Sequence, residues 1–335
     1  MFTQRRLLAA TAVSTVLVFG LAGCADGDSG GKGSTGTTAE GSAASSVEIG
    51  DNHGTRKVEL PAKNVVATDN RTFQTLADWG VELAAAPVDL IPSDNPYKSD
   101  KSIVDLGTHN EPDLEAVVAV EPDLIINGQR FASYYKDFEK LAPDATIVEL
   151  DPRDGEPFDE ELKRQVEGLG KIFGHEQDAQ KLIADFDASI ARVKKVYDPK
   201  DSVIGVITSG GEINYAAPST GRTVGPVFDI LGLTPGIETD GSANHQGDDI
   251  SVEAIAAAKP DLIIALDRDA AVSKASSGSY VPAAELLADS EALRNVPAVR
   301  NDSIVYFPQL TYVNEGIQTY TTLFNDLADK LEANA

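Results

Sequence analysis

Three arginines stand where guanidinium chemistry could serve a ligand. Arg130 and Arg268 each follow an apolar run, and Arg222 lies in Ser219-Thr220-Gly221-Arg222-Thr223, directly before a helical pattern. A guanidinium is a permanently charged planar fork that matches anionic oxygens. The chain carries 53 acidic against 28 basic residues and a formal charge of −25, so it has no bulk attraction for nucleic acid or an anionic lipid surface. An anionic ligand would need local cations of its own. These three arginines are the candidates, with pairing to surface acids as their competing role.

Other chemistries find less support. His53, His109, His175 and His245 are scattered, without the close spacing of a zinc motif. No Gly-x-Ser-x-Gly elbow offers a serine nucleophile, and the acids are too numerous for any pair to single itself out as a glycosidase centre. Ser209-Gly210-Gly211 closes an apolar strand, yet neither a Gly-x-Gly-x-x-Gly run nor a Walker lysine accompanies it, so a phosphate loop is weakly supported. Tyr134, Tyr135, Tyr215 and Tyr280 have aromatic bodies that could line a cleft for a planar ligand.

A repeat predicts the elements that position the arginines. Leu114 to Arg130 reads LEAVVAVEPDLIINGQR, and Val252 to Arg268, 138 residues on, reads VEAIAAAKPDLIIALDR. Each copy reads as a short helix, a Pro-Asp turn and a buried strand, with an arginine just beyond the strand's carboxyl end. Ligands of open α/β sheets bind outside those ends. Val47 to Leu60 suggests a hairpin with His53 exposed in its turn, and Asn64 to Val88 reads strand, helix, strand. Phe158 to Tyr197 is helical with an interruption at Gly174, and Val203 to Thr208 opens a second α/β region. The expected fold is therefore α/β, with two Rossmann-like lobes joined by one long helix and a ligand cleft between them. We place the N-terminal lobe at 47–175, the connecting helix at 176–198 and the C-terminal lobe at 199–335.

Residues 1–23 read as a leader, with Arg5 and Arg6 ahead of an apolar stretch that ends in Leu21-Ala22-Gly23-Cys24. Cys24 is the single cysteine, which excludes an intramolecular disulfide. Its setting resembles a bacterial lipobox, whose cysteine is lipidated and anchors the chain at the extracytoplasmic face of the cell membrane. Cleavage there removes two arginines and no acid, moving the formal charge from −25 to −27. Residues 24–46 are rich in Gly, Ser, Thr and Ala and read as a flexible tether.

Lipobox, tether, the Val65-Val66-Ala67-Thr68-Asp69 opening strand, the paired Pro-Asp-Leu-Ile-Ile units and the central helix together resemble the ABC-importer solute-binding proteins that carry ferric siderophores and cobalamin. Gly221 to Gly232 and Ala265 to Val272 look most like the binders of ferric catecholates. The resemblance implies no catalysis and no intrinsic cofactor. It implies a ferric siderophore held by Arg130, Arg222 and Arg268, since a tris-catecholate around Fe(III) is a trianion. Tyr135 and Tyr215 are further candidates for the cleft. It further implies that His245 and Tyr312 complete iron coordination when the siderophore supplies too few donors, and that Glu115 and Glu253 dock on the permease, which works with its ATPase. A monomer that binds no nucleic acid is expected. Heme or cobalamin binding is the alternative within the class, and an extracytoplasmic hydrolase the alternative outside it.

Overall fold

A computed structural model describes residues 45–272 and 278–334, so the leader, Cys24 and nearly all of the tether lie outside the described residues. Strands β1 (Ser46–Asp51) and β2 (Gly54–Glu59) form the antiparallel hairpin expected from their alternation. Next come β3 (Val65–Ala67), helix α1 (Phe73–Asp78), β4 (Ala85–Ala86), β5 (Val104–Asp105) and a small hairpin of β6 (Gly107–Thr108) with β7 (Glu111–Pro112). Helix α2 (Leu114–Ala119), β8 (Leu124–Asn127), α3 (Tyr135–Leu141) and β9 (Thr146–Glu149) complete the first lobe. Its sheet is parallel, in the order β5-β4-β3-β8-β9.

Two helices follow, α4 (Phe158–Phe173) and α5 (Glu176–Val196), separated by Gly174 at φ 72°, where a left-handed residue without a side chain ends the first. Leu162 and Val166 of α4 pack in the core of the second lobe, while Leu169 and Ile172, one and two turns on, pack in the core of the first. Helix α5 sends Ala179, Phe186, Ile190 and Val193 into the second core, and His175 at its start stacks on Trp79 of the first lobe at 5.1 Å. One short helical hairpin is thus seated in both lobes.

The second lobe runs β10 (Ser202–Ser209), β11 (Glu212–Ala216), α6 (Gly225–Leu231), β12 (Thr234–Pro235), α7 (Val252–Ala258), β13 (Leu262–Asp267), α8 (Ala283–Asp289), α9 (Pro297–Arg300), β14 (Ile304–Tyr306) and α10 (Ile317–Asn334). The sheet order is β11-β10-β13-β14, with β12 beside β10 and only β11 antiparallel. Gly210 and Gly211, at φ 66° and 85°, make the tight turn into β11, which is a hairpin role and not a phosphate loop.

The repeat is a structural unit as well as a sequence one. Leu124 and Ile126 face one core while Ile125 faces another, and in β13 Leu262 and Ile264 face one core while Ile263 faces another. Burial on both faces explains the unbroken apolar runs. Each motif aspartate ties down the start of the neighbouring strand. Asp123 accepts from the Lys63 and Asn64 backbone N–H groups at 2.8 and 3.0 Å, and Asp261 accepts from the Ser202 N–H and hydroxyl, both at 2.9 Å.

Candidate ligand-binding site

Arg130 and Arg268 leave their sheets at matched points. Arg130 enters the 3-10 turn after β8, and Arg268 begins the turn after β13. Arg222 comes from the loop before α6. All three guanidinium carbons lie over the ring of Tyr312, at 5.0 Å for Arg130, 5.1 Å for Arg222 and 4.9 Å for Arg268. Stacking cations on the negative face of one aromatic ring offsets part of their mutual repulsion. Each is also pinned by an acceptor: Arg130 Nη2 donates to the Tyr312 carbonyl at 3.2 Å, Arg222 Nε pairs with Glu315 at 3.3 Å, and Arg268 Nη1 meets Ser209 Oγ at 3.3 Å and Asp269 at 3.2 Å. Arg130 Nη1 and Arg268 Nε are buried without a hydrogen-bond partner among the described residues.

Two hollows meet at Arg130. One of about 620 Å³ is bordered by His109, Arg130, Arg268 and Tyr312, the other of about 710 Å³ by Arg71, Gln129, Arg130, Arg222 and Glu315. Burial and the neighbouring Arg222 lower the pKa of Arg130, whereas Glu315 raises that of Arg222. His109 is pushed down by burial, then by Arg130 and Arg222. Three arginines thus gather inside a strongly acidic protein, with Glu315 beside one of them.

Residues 65–310 match the family model described as periplasmic binding protein. The chain belongs to the periplasmic binding protein family. This is a family that binds substrates for import and does not transform them. Among its relatives is the petrobactin-binding protein YclQ of Bacillus subtilis, 29% identical over 288 residues that span 84% of this chain and 86% of the relative. The ferric-anguibactin-binding protein FatB of Vibrio anguillarum is 29% identical over 263 residues, 78% of this chain and 79% of FatB. The crystal structure of YclQ superposes with a TM-score of 0.71 at 26% identity, covering 86% of this chain and 99% of that one. The catecholate-siderophore binding protein VctP of Vibrio cholerae shares the fold, with a TM-score of 0.71 at 20% identity, covering 86% and 99% of the two chains.

In this periplasmic binding protein, Tyr312 is buried beneath the arginines. His245 is exposed in the loop before α7, and its pKa is lowered by partial burial and by the charges of Arg268, Arg222 and Arg130, which places it within their field. Glu115 and Glu253 are exposed in the first turns of α2 and α7, behind side-chain caps from Asp113 and Ser251. Neither glutamate takes part in an ion pair among the described residues.

Two tyrosines are not where a cleft role requires them. Tyr215 lies on β11 opposite Val206, is 1% exposed within the core, and donates its hydroxyl to the Ile237 carbonyl at 3.0 Å. The hairpin turn at Gly210-Gly211 sends it inward. Tyr135 begins α3, where its ring stacks on His53 at 3.8 Å and its hydroxyl accepts from Arg56 at 2.8 Å, under the N-terminal hairpin. His53 is exposed in the hairpin turn, as expected, and also meets Glu149 at 3.0 Å.

The structure adds Arg71, Gln129 and Glu315 to the site. Arg71 follows the carboxyl end of β3, the position that marks Arg130 and Arg268, and the same rule points to it. Glu315, in Asn314-Glu315-Gly316, carries no signal that separates it from the other acids.

Proposed function

We propose that this protein is the extracytoplasmic binding component of an ABC importer and carries an Fe(III) siderophore complex, of catecholate type, to its permease. The observation that carries this reading is the convergence of Arg130, Arg222 and Arg268 from both lobes on Tyr312. A ferric tris-catecholate has six phenolate charges against three on iron, and three arginines in a cleft offset the remaining trianion. Each charge-assisted hydrogen bond to such oxygens contributes roughly 1.5–3 kcal/mol. Nη1 of Arg130 and Nε of Arg268, without a partner among the described residues, are donors such oxygens would take. Relatives named for petrobactin and ferric anguibactin support the same ligand class.

In this reading Tyr312 and His245 stand ready to supply ligands to iron when the siderophore leaves coordination positions open. Glu115 and Glu253, one on each lobe at equivalent helix starts, are the contacts for the permease and its ATPase-driven cycle. Lipidation at Cys24 holds the protein at the outer face of the membrane; no helix among the described residues is long and apolar enough to cross it. Helices α4 and α5 link the lobes. The protein needs no resident cofactor and works as a monomer.

The test is fluorescence titration of the soluble form beginning after Cys24 with ferric tris-catecholate, ferric hydroxamate, ferric citrate, heme and cobalamin. Tight quenching by the ferric catecholate is expected. Absence of a tight response to any ferric catecholate overturns the proposal, and a tight response to heme or cobalamin alone replaces it.

A further inference from the structure

Glu315 is 2% exposed, yet four side chains converge on its carboxylate. Arg71 Nη2 lies 3.3 Å from Oε2 and Arg222 Nε 3.3 Å from Oε1; Gln129 Nε2 donates to Oε2 at 2.8 Å and the Thr223 hydroxyl to Oε1 at 2.5 Å. Two of these groups come from each lobe. Gln129 and Thr223, the immediate neighbours of Arg130 and Arg222, hold left-handed backbones at φ 50° and 65°. That conformation is costly for a β-branched residue and persists only where surrounding contacts enforce it. Burial alone would raise the carboxyl pKa, but Arg222, Arg71 and Thr223 outweigh it and hold the group at about 2. A permanent anion therefore sits within the cluster that would receive an anionic ligand.

We propose that Glu315 is the cleft's internal counter-anion. In the empty protein it supplies negative charge that lets Arg71, Arg222 and their neighbours stay packed together. In the loaded protein it competes with the ligand for the same cations, lowering affinity and setting how much negative charge a ligand must bring. The idea rests on the siderophore reading for the identity of the ligand, but not for the electrostatics. Removing one partner of a buried ion pair leaves the other uncompensated. An incoming anion would then supply the missing charge.

The experiment compares wild type with Glu315→Gln, which keeps the shape and an acceptor. The probes are a ferric tris-catecholate of charge 3− and a ferric bis-catecholate of charge 1−. The variant is expected to melt at a lower temperature when empty and to bind the trianion about tenfold tighter, with a smaller gain for the monoanion, as Coulomb's law scales with ligand charge. A structural role alone predicts equal or weaker binding of both, and either result overturns the proposal. Should the empty Gln variant not fold, Glu315→Asp keeps the charge but withdraws it by one methylene. It is then expected to give a smaller gain with the same dependence on ligand charge, and no such dependence overturns the idea. If wild type binds neither complex, the siderophore reading fails by itself. The counter-anion role is then read with sulfate, which is expected to raise the melting temperature of the Gln variant more than that of wild type; an equal rise overturns it.

Discussion

Gln129 and Thr223 reach one carboxylate from opposite lobes, each from a left-handed backbone and each next to a cleft arginine. The strain at Thr223, on the order of 1–3 kcal/mol, is opposed by a charge-assisted hydrogen bond of about 1.5–3 kcal/mol. Thr223→Gly relieves the first and loses the second, so its unfolding free energy is expected to stay within about 1 kcal/mol of wild type. Thr223→Val keeps the strain and removes the donor, and is expected to cost about 2–3 kcal/mol. Urea unfolding at neutral pH measures both; a Thr223→Val variant as stable as wild type would show that the hydroxyl does not support the carboxylate.

The three arginines are not expected to be interchangeable with lysine. A lysine keeps the charge but loses the planar fork and the stack on Tyr312. Arg268→Lys is expected to weaken ferric catecholate binding about tenfold, and Arg268→Ala more, with a flatter dependence of affinity on salt in the alanine variant. Titration at two ionic strengths measures both. Full affinity in the lysine variant would reduce the site to a simple positive potential.

Much of the fold was legible because the repeat encodes its own register. The 138-residue offset that relates Arg130 to Arg268 also relates Val65 to Val203, and those residues pair with Leu124 and Leu262 in the two sheets. Local chemistry therefore announced both strands, their turns and the two arginines at their ends. Tyr215 was not legible, because whether a glycine pair ends a strand at a ligand or turns it into a hairpin depends on what lies beyond. Glu315 was hidden for a different reason. Its role comes from four partners distant in the sequence, of which only Arg71 and Arg222 carry a positional signal of their own.

His245 and Tyr312 are expected to matter in proportion to the coordination positions a siderophore leaves open. With a tetradentate bis-catecholate, Tyr312→Phe is expected to shift the visible charge-transfer band, and His245→Ala to weaken binding several-fold, about 1 kcal/mol or more. With a hexadentate tris-catecholate neither spectrum nor affinity should change appreciably, since the Phe ring preserves the platform under the arginines. An identical spectrum of the bis-catecholate complex in Tyr312→Phe and wild type would limit the tyrosine to that platform.

Asp69, at the carboxyl end of β3, gives the empty protein a distinct pH response. Its Oδ1 accepts from the Arg71 N–H at 2.9 Å and its Oδ2 from Gln165 Nε2 of α4 at 2.8 Å. Burial raises its pKa to about 7 despite Arg71, with Asp151 adding to the rise. A folded-state pKa above the unfolded value means that folded protein binds the proton more tightly. Its contribution is fully present below about pH 4 and is lost as pH rises through about 7. The loss is on the order of 4 kcal/mol. Glu149 and Asp151, both raised first by burial, slope the same way. Glu315, held at about 2, loses its contribution only as pH falls through the range below its ordinary value of 4.5. Wild type is therefore expected to melt lower at pH 8 than at pH 5.5, and Asp69→Asn to reduce that difference without abolishing it. The Asn variant should also be less stable at pH 5.5, because one of its two acceptors has become a donor facing another donor. Melting curves across pH 5 to 8 decide the matter, and an unchanged slope in Asp69→Asn would remove Asp69 as its source.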